Sequence, residues 1–243
     1  MLEKTEYEDH FLAFLDILGF KNLIKEEDSL GLLVEVLQKI YEIKKYSNGS
    51  IQRPKINTFS DCVLISTPHH DGVDALAQLV YFCSIIHNKL FSKKIFIRGG
   101  ITIGPLIHSN SIQIGPGLID AYNLESKSAI YPRIVFSDEI IKYIDKECSF
   151  DGDHPFLRKQ DADGIWFLNT FNKEYDFLSN FNANSEQYDD HVDYAEAIKH
   201  IENKLKNPEL NISIRSKYYW IAKHFNENSD NKIIIPGEIS ERQ

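Results

Sequence analysis

Seven of the eight residues from Phe11 to Leu18 are apolar, and the eighth is an aspartate. The run Phe11-Leu12-Ala13-Phe14-Leu15-Asp16-Ile17-Leu18 reads as a strand buried on both faces. An ionised carboxylate in such a place costs on the order of several kcal/mol unless a partner offsets it. No lysine or arginine lies within the run. Either Asp16 ends the strand and caps a helix at Lys21-Asn22-Leu23-Ile24, or a cation reaches it from elsewhere, a metal ion being the simplest.

A second acid has the same character. Lys55 to Ser66 alternates like a strand on each side of Ser60-Asp61, which predicts a tight hairpin over residues 54 to 67 with Asp61 at its tip. Turn chemistry alone would explain Asp61. Yet a carboxylate at a strand end and another on a hairpin tip are what a two-metal site needs to clamp divalent ions, roughly 3.5–4 Å apart, against a nucleotide's phosphates.

The 243 residues fit one generous domain, or one domain plus an extension. A formal net charge of −9 argues against a broad nucleic-acid-binding face. Cys62, Cys83 and Cys148 lack metal-ligand spacing and read as reduced thiols of a cytosolic protein. The acidic, polar start Met1-Leu2-Glu3-Lys4-Thr5-Glu6 is unlike a signal peptide, and no apolar run approaches a membrane span of about 20 residues. A soluble, cytoplasmic protein is expected.

Periodicity predicts helices over Leu30–Tyr46 and Asp74–Phe91. A glycine-interrupted strand follows over Lys94–Ile107, then a short one at Ser111–Ile114 and a helix over Pro116–Ser126 opened by Gly115-Pro116-Gly117. Arg133–Phe136 reads as a strand, and Ser137 caps a helix through Lys146. Leu157–Lys159 and Ile165–Asn169 form a hairpin around Asp161-Ala162-Asp163-Gly164. The fold class is α+β, a ferredoxin-like βαββαβ core. Beyond Phe171 the texture changes. Asn180–Asp190 reads as a linker or loop, and Tyr194–Leu205 and Ser213–Phe225 as helices. Residues 1–170 are expected to form the catalytic domain and 171–243 a helical C-terminal extension, packed on the core or on a second subunit.

In order along the chain, Phe14-Leu15-Asp16-Ile17-Leu18-Gly19-Phe20, Phe59-Ser60-Asp61-Cys62, Ile97-Arg98-Gly99-Gly100-Ile101-Thr102-Ile103-Gly104 and Gly117 to Glu125 resemble the successive motifs of the class III nucleotide cyclases. The resemblance covers roughly residues 11 to 169. It implies two divalent ions, Mn2+ or Mg2+, on Asp16, the Ile17 carbonyl and Asp61. Nucleotide contacts would come from the turn Leu18-Gly19-Phe20, from Arg98 on the triphosphate and from Asn57 at the base. It also implies a head-to-tail homodimer with sites at the interface, metal and base groups coming from opposite subunits.

The departures narrow the resemblance. Purine cyclases carry Lys or Glu where this chain has Asn57, and their other base-selecting residue falls near Ile112. Their transition-state Asn and Arg align with Ile119 and Asn123. Short proteins with Asp-Ile-x-Gly-Phe, Ser-Asp and Arg-Gly-Gly-Ile motifs resemble the pyrimidine cyclases of Pycsar antiphage defence. This chain is therefore expected to convert UTP or CTP to cyclic UMP or cyclic CMP, read by a separate effector protein. Asn57 can pair with either pyrimidine edge. The alternatives are a catalytically silent nucleotide-binding module and a purine cyclase. A diguanylate cyclase would show Gly-Gly-[Asp/Glu]-[Glu/Phe] at the hairpin tip, and this chain does not. His69-His70 reads as solvated loop, Arg158 and Lys159 as solvated charges, and Tyr218-Tyr219-Trp220 as extension core.

Overall fold

The computed structural model describes residues 6–25, 54–109, 111–147, 158–171 and 193–237, with isolated positions between 31 and 38. The helix expected over Leu30–Tyr46 lies largely outside the described residues, and the linker at Asn180–Asp190 wholly so. The first strand, β1, is Glu8–Ile17. A four-residue helix α1 (Phe20–Leu23) follows. The hairpin β2 (Lys55–Phe59) and β3 (Cys62–Pro68) leads into the long helix α2 (Gly72–Ser92). Next come β4 (Ile97–His108), β5 (Gln113–Ile114), α3 (Pro116–Ser128), β6 (Ile134–Phe136) and α4 (Asp138–Glu147). The hairpin β7 (Arg158–Gln160) and β8 (Trp166–Leu168) and the helices α5 (Ala195–Lys206) and α6 (Ile212–Asn228) follow among the described residues.

The sheet order is β2-β3-β1-β4-β6-β8-β7, with β5 paired to β4. Its first four strands are antiparallel and stand in the order of a split βαββαβ unit, as expected. β6 adds parallel to β4. Central β1 is flanked by β3 and β4, and its side chains alternate between two faces. Phe11, Ala13, Leu15 and Ile17 join the core under α2 and α4. Leu12 and Phe14 point to the opposite face, where α3 lies.

Two glycine contacts set the seat of α3. A Cβ on Gly104 would lie 2.7 Å from the Gly117 Cα, and one on Gly100 2.9 Å from the Ala121 carbonyl oxygen. The helix backbone therefore rests directly on β4, which only Cβ-free positions allow. Gly117, Ala121 and Glu125 form the buried stripe of the helix, at spacings of four residues.

The helices α5 and α6 share a core with the last turn of α2, β6 and β8. Ala197, Ile201, Leu205, Ile221 and Phe225 pack with Phe91, Val135 and Phe167. A polar cluster ties the same elements together. Arg133, 1% exposed, is a surface-looking residue in the sequence but fully interior in the fold. Its guanidinium bonds to Asp161 and Asp163 of the β7–β8 turn, and the Trp220 indole N–H donates to Asp161 Oδ2 at 2.7 Å. Trp220 is buried, as expected, whereas Tyr219 is 42% exposed. Lys159 pairs with Glu227, and Arg158 with Asp145 while lying over Trp166, so neither is a purely solvated charge. His69 also differs from expectation: its ring sits 4.9 Å from Phe11 and 5.4 Å from Tyr143.

His87 is buried in α2 with Phe91 and Phe171 around its ring. Burial pushes its pKa down to about 4, against a smaller opposing pull from Asn88. The folded state therefore resists protonation that the unfolded chain accepts near pH 6.5, so stability is full above that pH and lost as pH falls toward 4. At pH 5 this loss should be about 2 kcal/mol. Urea midpoints at pH 7 and pH 5 check it: His87→Gln should show correspondingly less acid sensitivity, and equal sensitivity would exonerate His87.

Candidate functional site

Asp16 is the penultimate residue of β1 and stands on the α3 face of the sheet. Cross-strand pairing places Phe59, Cys62, Asp16 and Arg98 in one row. The next row, two residues along, is Asn57, Leu64, Phe14 and Gly100. The hairpin tip is folded back to the same place. Ser60 takes a left-handed conformation (φ 55°), and the Ile17 amide donates to the Asp61 carbonyl at 2.9 Å. Ligand atoms of Asp16, Asp61 and Cys62 consequently lie within 4.8 Å of one another. The expected strand end and hairpin tip do meet.

Two further side chains complete the cluster. Arg98 Nε donates to Asp16 Oδ2 at 3.2 Å, and Glu125 Oε1 of α3 is 2.6 Å from the same nitrogen. Asp16 thus has a cationic partner from β4 and caps no helix. Burial still pushes its carboxyl above the ordinary range, outweighing Arg98, and the charge of Asp61 adds to the push. Glu125 is raised too, first by burial and then, against the pull of Arg98, by Asp16 and Asp61. Cys62 is pushed up to about 12 by burial and then by Asp61 and Asp16, which favours the thiol form. The two carboxylates form a hard oxygen pair, which fits Mg2+ or Mn2+ better than a soft metal.

The turn after β1 is built on Gly19, whose φ of 75° favours glycine. The Leu18 amide is committed to the Phe96 carbonyl at 2.8 Å. Asn57 is held in place: its Oδ1 lies 2.7 Å from His108 Nε2, and the Ser66 hydroxyl lies 2.7 Å from His108 Nδ1. The amide oxygen can only accept, so Nε2 carries a proton and donates to it. Ile119 is 62% exposed on α3. Asn123 lines a cleft of about 670 Å³ with Thr102, Asp120, Lys127 and Ser137, a cleft that includes neither Asp16 nor Asp61.

Glu125, Cys62 and His108 were not singled out as site residues in the sequence. The one signal for Glu125 was an acid continuing a small-residue stripe at four-residue spacing, Gly117, Ala121, Glu125.

No protein-family model matches the sequence, and no curated protein matches it. Among solved structures, the chain is similar to the monomeric guanylyl cyclase domain of the RhoGC fusion protein from the aquatic fungus Blastocladiella emersonii. That likeness has 20% identity, 68% of this chain, 96% of that one and a TM-score of 0.49. It is also similar to the adenylyl cyclase CyaB from P. aeruginosa, at 20% identity, 69% and 96% coverage and a TM-score of 0.44. A bacterial light-regulated adenylyl cyclase matches at 17% identity, 72% and 98% coverage and a TM-score of 0.45. No helix among the described residues is long and apolar enough to cross a membrane.

Proposed function

We propose that the chain is a divalent-metal-dependent nucleotide cyclase of the class III type, and that its substrate is a pyrimidine triphosphate, UTP or CTP. The carrying observation is the convergence of Asp16 and Asp61 on a half-buried face beside Arg98, with ligand atoms inside 4.8 Å. The substrate's 3′-oxygen attacks the α-phosphorus in line, the bond to the bridging oxygen of the β-phosphate breaks, the 3′-proton passes to solvent, and pyrophosphate leaves. Divalent ions, when bound, supply a lowered pKa at the 3′-hydroxyl and neutralise the triphosphate.

Asp16, the Ile17 carbonyl and Asp61 would hold those ions. Arg98 offers a planar fork to phosphate oxygens. With the Leu18 amide spent on Phe96, the amides of Gly19 and Phe20 are the ones presented to phosphate. Asn57 reads the base from β2, its amide steadied by His108. Residues 1–170 form the catalytic unit and 171–243 its extension, acting in the cytoplasm. The working form is a head-to-tail homodimer. Exposed apolar side chains on the elements that carry the site, Phe59 (83%), Ile119 and Tyr122, support an interface there. On the Pycsar-like reading the cyclic pyrimidine nucleotide is a signal read by a separate effector protein in antiphage defence.

A second reading has its own support. Ile119 and Asn123 cannot do the work of an Asn and Arg on a developing phosphorane, which favours a silent nucleotide-binding module. Incubation with each ribonucleoside triphosphate and Mn2+, with products read by mass spectrometry, separates the readings. Cyclic UMP or cyclic CMP is expected. Cyclic AMP or cyclic GMP would keep the chemistry and overturn the role given to Asn57. No product from any of the four would favour the silent module.

A further inference from the structure

Arg98 has one Nε–H and two carboxylates competing for it. The hydrogen bond goes to Asp16 Oδ2 at 3.2 Å. Glu125 Oε1 is nearer, at 2.6 Å, yet that oxygen is buried and receives no aligned hydrogen bond. Its side chain is almost fully enclosed, on a helix whose backbone is seated on the glycines of β4. A buried acceptor without an aligned donor is costly. Here it sits beside the one donor that a neighbouring residue has taken.

We propose that Glu125 is a positioning residue for Arg98. It takes over the Nε–H when a divalent cation claims Asp16, so that Arg98 stays in the site with its two terminal nitrogens turned to phosphate oxygens. This rests on the metal reading of Asp16 and Asp61. Three facts support it. Asp16 Oδ2 cannot give the same lone pair both to a cation and to Arg98, so a cation that takes that lone pair loosens their bond. A released arginine without a second acceptor would be repelled by the incoming cation, and Glu125 supplies that acceptor within contact distance. Glu125 also stands outside the group of Asp16, Asp61 and Cys62 atoms that could share an ion, so its charge acts on Arg98 rather than as a ligand. Asp16 and Glu125 both lean on the one Arg98 guanidinium.

The test measures Mn2+ binding from the free-ion paramagnetic resonance signal, and binding of inorganic triphosphate to the Mn2+-loaded full chain by calorimetry. Glu125→Gln should weaken triphosphate binding about tenfold, the size of one charge-assisted hydrogen bond. Glu125→Asp should restore most of that loss. In an Arg98→Ala background, Glu125→Gln should cause less than about a twofold further change. Arg98→Ala alone should tighten Mn2+ binding, because Asp16 is freed. The same loss from Glu125→Gln with or without Arg98, or no loss at all, would overturn the proposal. A purely structural Glu125 would lower thermal stability and leave triphosphate affinity unmoved, which also overturns it.

One measurement needs no Glu125 variant. In nitrogen–proton spectra of the wild type, the Arg98 Nε–H signal, assigned by its loss in Arg98→Lys, should shift yet remain protected when Mg2+ is added. Its disappearance into solvent exchange would mean that no second acceptor captures it. Failure of the wild type to bind Mn2+ would instead sink the metal reading, and this inference with it. Normal Mn2+ binding with triphosphate affinity indifferent to Glu125 sinks this inference alone.

Discussion

Asp16→Ala and Asp61→Ala are each expected to cut nucleotide turnover by roughly a thousandfold or more while leaving the protein folded. The folding half of this expectation is as telling as the catalytic half. Burial holds the Asp16 carboxyl above its ordinary range despite Arg98, so ionised Asp16 is a net burden on the native state at neutral pH. Removing it leaves Arg98 against Glu125, so no charge is stranded. Thermal midpoints of Asp16→Ala should therefore equal or exceed the wild type's. Asp61 sits on a turn whose backbone bond to Ile17 uses its carbonyl, not its side chain, so that link survives in alanine. A residue that costs stability and is indispensable to turnover is a functional residue. The assay is product formation with Mn2+ beside a melting curve. Activity within tenfold of wild type in either variant would defeat the metal assignment.

Arg133→Met is expected to have the largest effect on stability, a loss of about 3 kcal/mol or more. Arg133 is fully interior, and its guanidinium answers both carboxylates of the β7–β8 turn. Burial pushes Asp161 up, but the Trp220 indole, the Ala162 amide and Arg133 together hold it below the usual carboxylate range. Without the arginine, Asp161 keeps its bond to Trp220 yet faces burial with its largest charge partner gone. Asp161 is also where α6 attaches, through Trp220 and through His224 Nε2 at 3.6 Å. The damage should spread to α6 and its partner α5. Urea unfolding gives the size of the loss, and indole fluorescence should report a loosened Trp220 before the main transition. A midpoint unchanged within about 1 kcal/mol would show that the cluster is not what secures α6.

The carboxylates of the site were legible because each interrupts a strongly apolar pattern. Asp16 stands in a run with no other polar residue, and Asp61 divides two alternating strands. The order of strands followed from the same periodicity, with ends displaced by one to three residues. Other residues were opaque because their environment is made by distant parts of the chain. Glu125 looks like any acid on an amphipathic helix until Gly104 and Gly117 bring that helix onto β4. Asp161 and Asp163 make a good turn sequence, and they do turn the chain, but they also neutralise Arg133, 28 and 30 positions away. His69 was expected in solvent because it follows Pro68 in a loop and no further histidine stands at metal-ligand spacing. Its ring is held by Phe11 and Tyr143, neither adjacent in sequence.

The backbone bond from Ile17 to Asp61 carries a consequence for how the protein matures. Asp16 and Asp61 become neighbours only after β3 has docked along β1, a pairing between distant stretches of chain that forms slowly compared with helices. On the proposed metal reading, a partly folded polypeptide lacks the paired carboxylates that would hold divalent ions. An ion bound there would favour the completed sheet, so metal supply and folding yield would become linked by mass action.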